Sequence, residues 1–144
     1  MKLEEIQALY AEDVEIEPTD LATESLKIPK LQLKYHRLYS QENMMLRKLE
    51  AEMKILKLEK YEFFVDGPSP DSKAKGWEFP AKGRIMKSDS NMYIEADKDV
   101  IQLNLKIFLQ REKVDFLDAI MKQLNNRGYN IKTALDFIKY TNGG

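Results

Sequence analysis

Residues 95–144 read EADKDVIQLNLKIFLQREKVDFLDAIMKQLNNRGYNIKTALDFIKYTNGG. Asp97 and Asp99 precede the first apolar residues, where a carboxylate can accept from the free N–H groups of a first helical turn. Leu103, Ile107, Val114, Leu117, Met121 and Leu124 follow at spacings of 4, 7, 3, 4 and 3, with Gln110 in the missing seam position, which is a heptad pattern. A second stripe of Leu105, Leu109, Phe116 and Ile120 runs well around the cylinder, and Ile101 and Phe108 lie on a third side. A surface helix needs one stripe, and a helix apolar on most sides is buried on most sides. Arg127-Gly128 predicts a stop, because Gly accepts the left-handed conformation of a residue just past a helix end. Asn130 would then cap a short last helix, Ile131 to Tyr140, with Ala134, Leu135 and Ile138 on its inner face.

A helix from 97 to 127 is about 46 Å long at 1.5 Å per residue. A 144-residue globule has a radius of gyration of about 14–15 Å. The plain reading is a core helix of a four-helix bundle, but that length implies an elongated molecule or helices packed against copies of themselves. The surplus of apolar stripes points to an oligomer interface made of Leu103, Leu105, Ile107, Leu109, Val114, Phe116, Leu117, Ile120, Met121 and Leu124.

Upstream, Leu3, Ile6, Leu9 and Tyr10 mark one face of a short first helix, ended by the acidic run from Glu12 to Glu17 and by Pro18. Thr19 or Asp20 starts a second helical segment, which Ile28-Pro29 kinks or restarts. Beyond Pro29 no Gly or Pro occurs before Phe64. Ile28, Leu31, Tyr35, Leu38, Met45, Leu49, Leu56 and Phe63 keep heptad-like spacing, so a second long helix of about 54 Å is expected. Gly67-Pro68-Ser69-Pro70 breaks it. The fold class is therefore all-α, with two long helices and short terminal ones. The chain divides into a helical region 1–67 with a long basic helix, an irregular basic arm 68–93, and a helical oligomerisation region 94–144.

The net charge of −1 hides an asymmetry. Residues 1–25 hold one basic and eight acidic side chains, and residues 26–60 hold nine basic and four acidic. Residues 72–87 hold five basic and one acidic. That pattern suits a polyanion or charged protein partners. The absence of cysteine excludes disulfides and thiolate chemistry. No run is long enough to cross a membrane and no signal peptide is evident; a cytoplasmic setting is expected.

Little in the chain resembles catalysis. His36, the only histidine, sits in mid-helix with no partner pattern. Asp89, Asn91, Glu95, Asp97 and Asp99 lack the central Gly and the spacing of a calcium loop, and helix capping accounts for them better. No metal, cofactor or catalytic residue is expected. The basic arm offers more. At 100° per residue Arg47, Lys54 and Tyr61 share a face, with Lys57 beside them, while Lys60 falls on the apolar stripe, a local violation that Glu42 repeats. Lysines that track phosphates beside aromatics on which bases stack are the ingredients of sequence-neutral single-strand binding. Arg47, Lys54, Lys57, Lys60 and Tyr61 are the candidate DNA-binding residues. Trp77 and Phe79, among Lys73, Lys75, Lys82 and Arg84, repeat the combination in the arm. A solvated lysine-rich helix with aromatic core anchors is the plainer alternative.

ADKDVIQLNLKI (96–107) and LDAIMKQLNNRGYNIKTALDF (117–137) resemble the C-terminal region of the UvsY family of phage recombination mediators. MKLEEIQ (1–7), ENMMLRKLEAEMK (42–54) and KLEKYEFFVDG (57–67) extend the resemblance in the same order over nearly the whole chain except residues 68–87. The resemblance implies a non-enzymatic protein of DNA recombination and repair in the cytoplasm of an infected host cell. It implies a homo-oligomeric ring of six to seven copies that binds single-stranded DNA. Such a ring helps a RecA-like phage recombinase displace the phage single-strand-binding protein. The family's basic pair at the end of the long helix falls on Leu58 and Lys60, of which only Lys60 is basic. The alternative is a helical scaffold or assembly chaperone that binds no nucleic acid.

Overall fold

Two helices carry most of the chain. In the computed structural model, which describes residues 1–143, α1 spans Leu3–Asp13, α2 Leu21–Asp66, α3 Pro70–Ala74, α4 Ser90–Glu95 and α5 Lys98–Thr141. A single 3-10 turn, Lys87–Asp89, precedes α4. No strand occurs among the described residues. The expected all-α architecture with two long helices is therefore present.

Local chemistry sets most of the ends. Asp20 caps α2, its carboxylate accepting from the Thr23 N–H at 3.3 Å. Pro29 lies inside α2 without ending it: both Pro29 and Ser25, the residue whose carbonyl loses its donor, are exposed, so water can serve that carbonyl. Gly67 ends α2 at φ +103°, a conformation that a side chain would strain. Asp97 caps α5 through bonds from the Asp99 and Val100 N–H groups at 3.0 and 3.3 Å.

Gly128 is not a stop. The helix α5 runs unbroken through it and through Asn130 to Thr141. A Cβ at Gly128 would lie 3.6 Å from the Cδ1 of Ile28, so the glycine marks a close approach of α2. Its flexibility costs a helix interior only about 1 kcal/mol, which tertiary packing can outweigh. The expected separate helix from Ile131 to Tyr140 is the last part of α5.

The chain forms two compact units, Met1–Met44 with Gln110–Gly144, and Met45–Leu109. They do not follow the consecutive stretches 1–67, 68–93 and 94–144, because each long helix gives one part to each unit. In the first unit α1, the start of α2 and the end of α5 enclose Ile6, Tyr35, Leu117, Ile120 and Leu124, all essentially inaccessible. Tyr10 meets Tyr35 and Phe116 edge to face, with ring centroids 5.6 and 6.4 Å apart. Burying each such aliphatic or aromatic side chain stabilises by roughly 1.5–3 kcal/mol.

This core corrects the expected oligomer seam. Ile107, Val114, Leu117, Ile120 and Leu124 are buried within the chain itself. Leu103, Phe116 and Met121 are half-buried. Only Leu105 and Leu109 of the expected interface are exposed. The seam read from the heptads is thus mainly intramolecular.

The buried positions of α2 include Ile28, Tyr35, Glu42, Leu46, Met53 and Lys60, so Met45, expected in the stripe, gives way to Leu46. The polar residues in these stripes are matched across helices. Gln110 Nε2 donates to both the carbonyl and the carboxylate of Glu42 at 2.7 Å. Arg127 donates to the carbonyls of Asp13 at 2.6 Å and Glu15 at 2.9 Å, and its guanidinium stands 3.5 Å from Glu24. It thereby serves the last carbonyl of α1, at the helix's negative end, and one carbonyl just beyond it. The pairings of 24 with 127 and 42 with 110 make α2 and α5 antiparallel in the first unit.

Candidate nucleic-acid interface

The second unit holds the candidate DNA-binding residues. Its scaffold is the end of α2, onto which residues 67–97 fold back. Phe63 and Phe64 are buried, and Phe63 packs against Trp77 and Phe79 with centroids 5.4 Å away in each case. The Ile85 N–H donates to the Phe64 carbonyl at 2.8 Å, fixing the arm to the helix end. The arm is therefore not irregular throughout: Ser69 caps α3 in a reciprocal bond with Ser72, and α4 follows the 3-10 turn.

Lys60 departs from expectation. It is 2% exposed, with Nζ 2.9 Å from Asp99, 3.1 Å from Asp97 and 3.6 Å from the centre of the Trp77 ring. Its charge is committed to two carboxylates and an aromatic face, so it is not a surface cation. Buried lysine is tolerated only with such partners. Asp97 consequently does two things, capping α5 with one oxygen and holding Lys60 with the other. The stripe violation at Lys60 is visible in the sequence. Its partners, 37 and 39 residues away, are legible there only as helix caps.

The other candidates are on the surface. Arg47 is exposed and pairs with Glu50 at 3.2 Å on its own helix. Lys54 is exposed and makes no ion pair among the described residues. Lys57 reaches Glu95 at 3.1 Å, both groups being well exposed, a pair worth at most about 1 kcal/mol and easily exchanged for a phosphate. Tyr61 is half-buried, and Leu58 is an exposed leucine in line with these cations. In the arm Lys75 pairs with Glu59 at 2.7 Å and stands 5.0 Å from the Trp77 ring. Lys82 stands 5.0 Å from the Tyr93 ring. The Glu59 hydrogen bond raises the pKa of Lys75, and the Tyr93 hydroxyl raises that of Lys82, so both keep their charge well beyond neutrality.

Two clefts flank Trp77. One, of about 250 Å³, is lined by Glu59, Glu62, Asp66 and Asp71 with Lys75. The other, of about 430 Å³, is lined by Lys60, Phe64, Trp77, Tyr93, Asp97 and Asp99 among others. The aromatics and the lysines stand out in the sequence, but the clefts do not, because they exist only where the arm returns to α2. Among the described residues no cluster of three or more His, Asp or Glu side chains could hold a metal ion. No helix among them is long and apolar enough to cross a membrane.

The family model described as "Recombination, repair and ssDNA binding protein UvsY" matches residues 9–144. The recombination protein uvsY of Enterobacteria phage T4 is 24% identical over 143 residues, covering 99% of each chain. Crystal structures of the bacteriophage T4 recombination mediator protein UvsY share the fold. One, in lattice type II, has a TM-score of 0.84 at 24% identity, covering 100% of this chain and 99% of that one. Another, in lattice type I, has a TM-score of 0.81 at 22% identity over 95% and 98% of the two chains. With the match reaching from α1 to the end of α5, the chain belongs to the UvsY family of recombination, repair and single-stranded-DNA-binding proteins.

Proposed function

We propose that this chain is a non-enzymatic recombination mediator, which holds single-stranded DNA on the second unit and presents it to a RecA-like recombinase while single-strand-binding protein is displaced. The observation that carries this proposal is the family match over residues 9–144. The surface of unit two supports it: Arg47, Lys54 and Tyr61 recur every seven residues on one face of α2, with Lys57 beside them. Lys54 and Lys57 take the part that Lys60, turned inward, does not. No observation favours a scaffold without nucleic acid.

The mediator works as a closed ring of six to seven copies. Ile101 and Phe108 adjoin the stripe of Leu105 and Leu109 on α5, and each of the four is more than 40% exposed. A run of that kind on one helix face is an interaction site rather than ordinary surface. A ring displays many weak cationic faces at once, and effective concentration turns them into a firm grip. The test is fluorescence anisotropy with a labelled oligonucleotide at low and moderate salt, with light scattering on the same samples. Salt-sensitive binding without sequence preference by an oligomer is expected. A monomer that leaves the oligonucleotide free at low salt would refute it.

A further inference from the structure

We propose that the 430 Å³ cleft beside Trp77 receives one unpaired base of the bound strand, a subsite that rests on the single-strand-binding role above. The cleft has the size of a small-ligand pocket. Phe64, Trp77 and Tyr93 give it aromatic walls, and Trp77 and Tyr93 are only half-buried. Its charges balance: Lys60, Lys75 and Lys98 face Glu78, Asp97 and Asp99. A phosphate gains little in a neutral cleft, whereas a nucleobase is itself uncharged, stacks on aromatic rings and can hydrogen-bond to carboxylates and ammonium groups. The smaller cleft across Trp77 is lined by four carboxylates against one lysine and would repel a strand, so entry is from the larger side.

The ring is prepared for stacking. Phe63 meets it edge-on, and the buried Lys60 stands 3.6 Å from its centre, so Trp77 is fixed before any strand arrives. Lys75 is different. It lies 5.0 Å from the ring, is more than a third exposed, and is held by surface pairs to Glu59 and Asp71. Such pairs are weak. Lys75 therefore leaves the ring as the base arrives and meets the adjoining phosphate, as does exposed Lys98, which forms no ion pair among the described residues.

Trp77 is the only tryptophan, so the full-length chain reports on its own cleft. Titration with an oligothymidylate should quench its emission in step with the anisotropy of the labelled strand. A strand carrying 5-iodouracil should photo-cross-link to Trp77 or Tyr93 in the unmodified protein. An abasic strand of equal length should bind about 5-fold or more weakly, the loss expected for one stacked base. Trp77→Ala should bind the two strands equally; the cross-link keeps the test valid if that variant folds poorly. A bound strand that leaves Trp77 emission unchanged and cross-links elsewhere overturns the cleft while leaving the DNA-binding role standing. Absence of any strand binding overturns that role, and the cleft with it.

Discussion

The two units spend their buried polar groups differently. In the first, Glu24, Glu42, Gln110 and Arg127 lie among well-packed aliphatic and aromatic side chains and bind one another or backbone carbonyls. They set the register of α1, α2 and α5. In the second, the buried cation Lys60 is shared among two aspartates and an indole at the margin of open clefts. Its neighbours Lys57 and Lys75 are held by exposed carboxylates that a polyanion can displace. Strong, enclosed pairs make a framework, and weak, exposed pairs make a surface ready to exchange partners.

The contrast between enclosed and exposed contacts is widest at Leu117 and Leu105, both leucines of α5. Leu117→Asp places a charge in the closed core of the first unit and should cost more than about 4 kcal/mol, read as loss of the cooperative denaturant transition. Leu105→Asp should leave that transition in place and instead lower the mass seen by light scattering. A Leu117→Asp chain that folds normally would move the core elsewhere.

Removing one buried cation from each unit comes next. Arg127→Met should cost about 2 kcal/mol or more from the two stranded carbonyls alone, with α1 becoming the first site of proteolysis. Lys60→Met should cost the second unit about 2 kcal/mol, less than a fully enclosed pair, because Asp99 is half-exposed. It should also shift Trp77 emission. If Lys60 instead served as a direct phosphate ligand masked by its aspartates, Asp99→Asn would tighten strand binding; as an internal strut, Asp99→Asn loosens the arm as Lys60→Met does.

Smaller effects are expected at exposed groups. Lys54→Ala with Lys57→Ala should leave stability within about 0.5 kcal/mol. The slope of log affinity against log salt should become shallower by about 0.7 for each phosphate that is no longer neutralised. An unchanged slope would place the strand on another face. The least effect is a pH dependence of the first unit. Burial pushes the Asp13 carboxyl up, but hydrogen bonds from Lys34 and Tyr35 and the charges of Lys34 and Arg127 outweigh it and hold its pKa below the ordinary range. Its stabilising contribution is therefore present above the unfolded carboxylate pKa and lost as pH falls through the lower folded value. Denaturant midpoints should fall as the pH drops below the ordinary carboxylate range, with a shallower fall in Asp13→Asn.

Much of the fold is legible in the sequence because its signals are local. The Gly67 break, the caps at Asp20 and Asp97, and the uninterrupted periodicity beyond Pro29 each depend on a few neighbouring residues. Gly128 misleads because a glycine's preference at a helix end is weak beside the packing that carries α5 past it. Lys60 stands out as a violation on the right helix face, yet its type suggests an outward cation. A lysine's partners decide its direction, and those partners follow the long arm.

By itself the sequence determined that the chain is helical, which residues share each stripe, and which lysines follow α2 on one face, since helical periodicity is set by backbone geometry alone. Only the tertiary structure decided that Leu117 and Leu124 face the chain's own core while Leu105 and Leu109 remain uncovered. It alone showed that Lys60 is internal and Lys54 is not. Periodicity ranks positions around a cylinder, but what covers each side depends on packing between residues far apart in the chain.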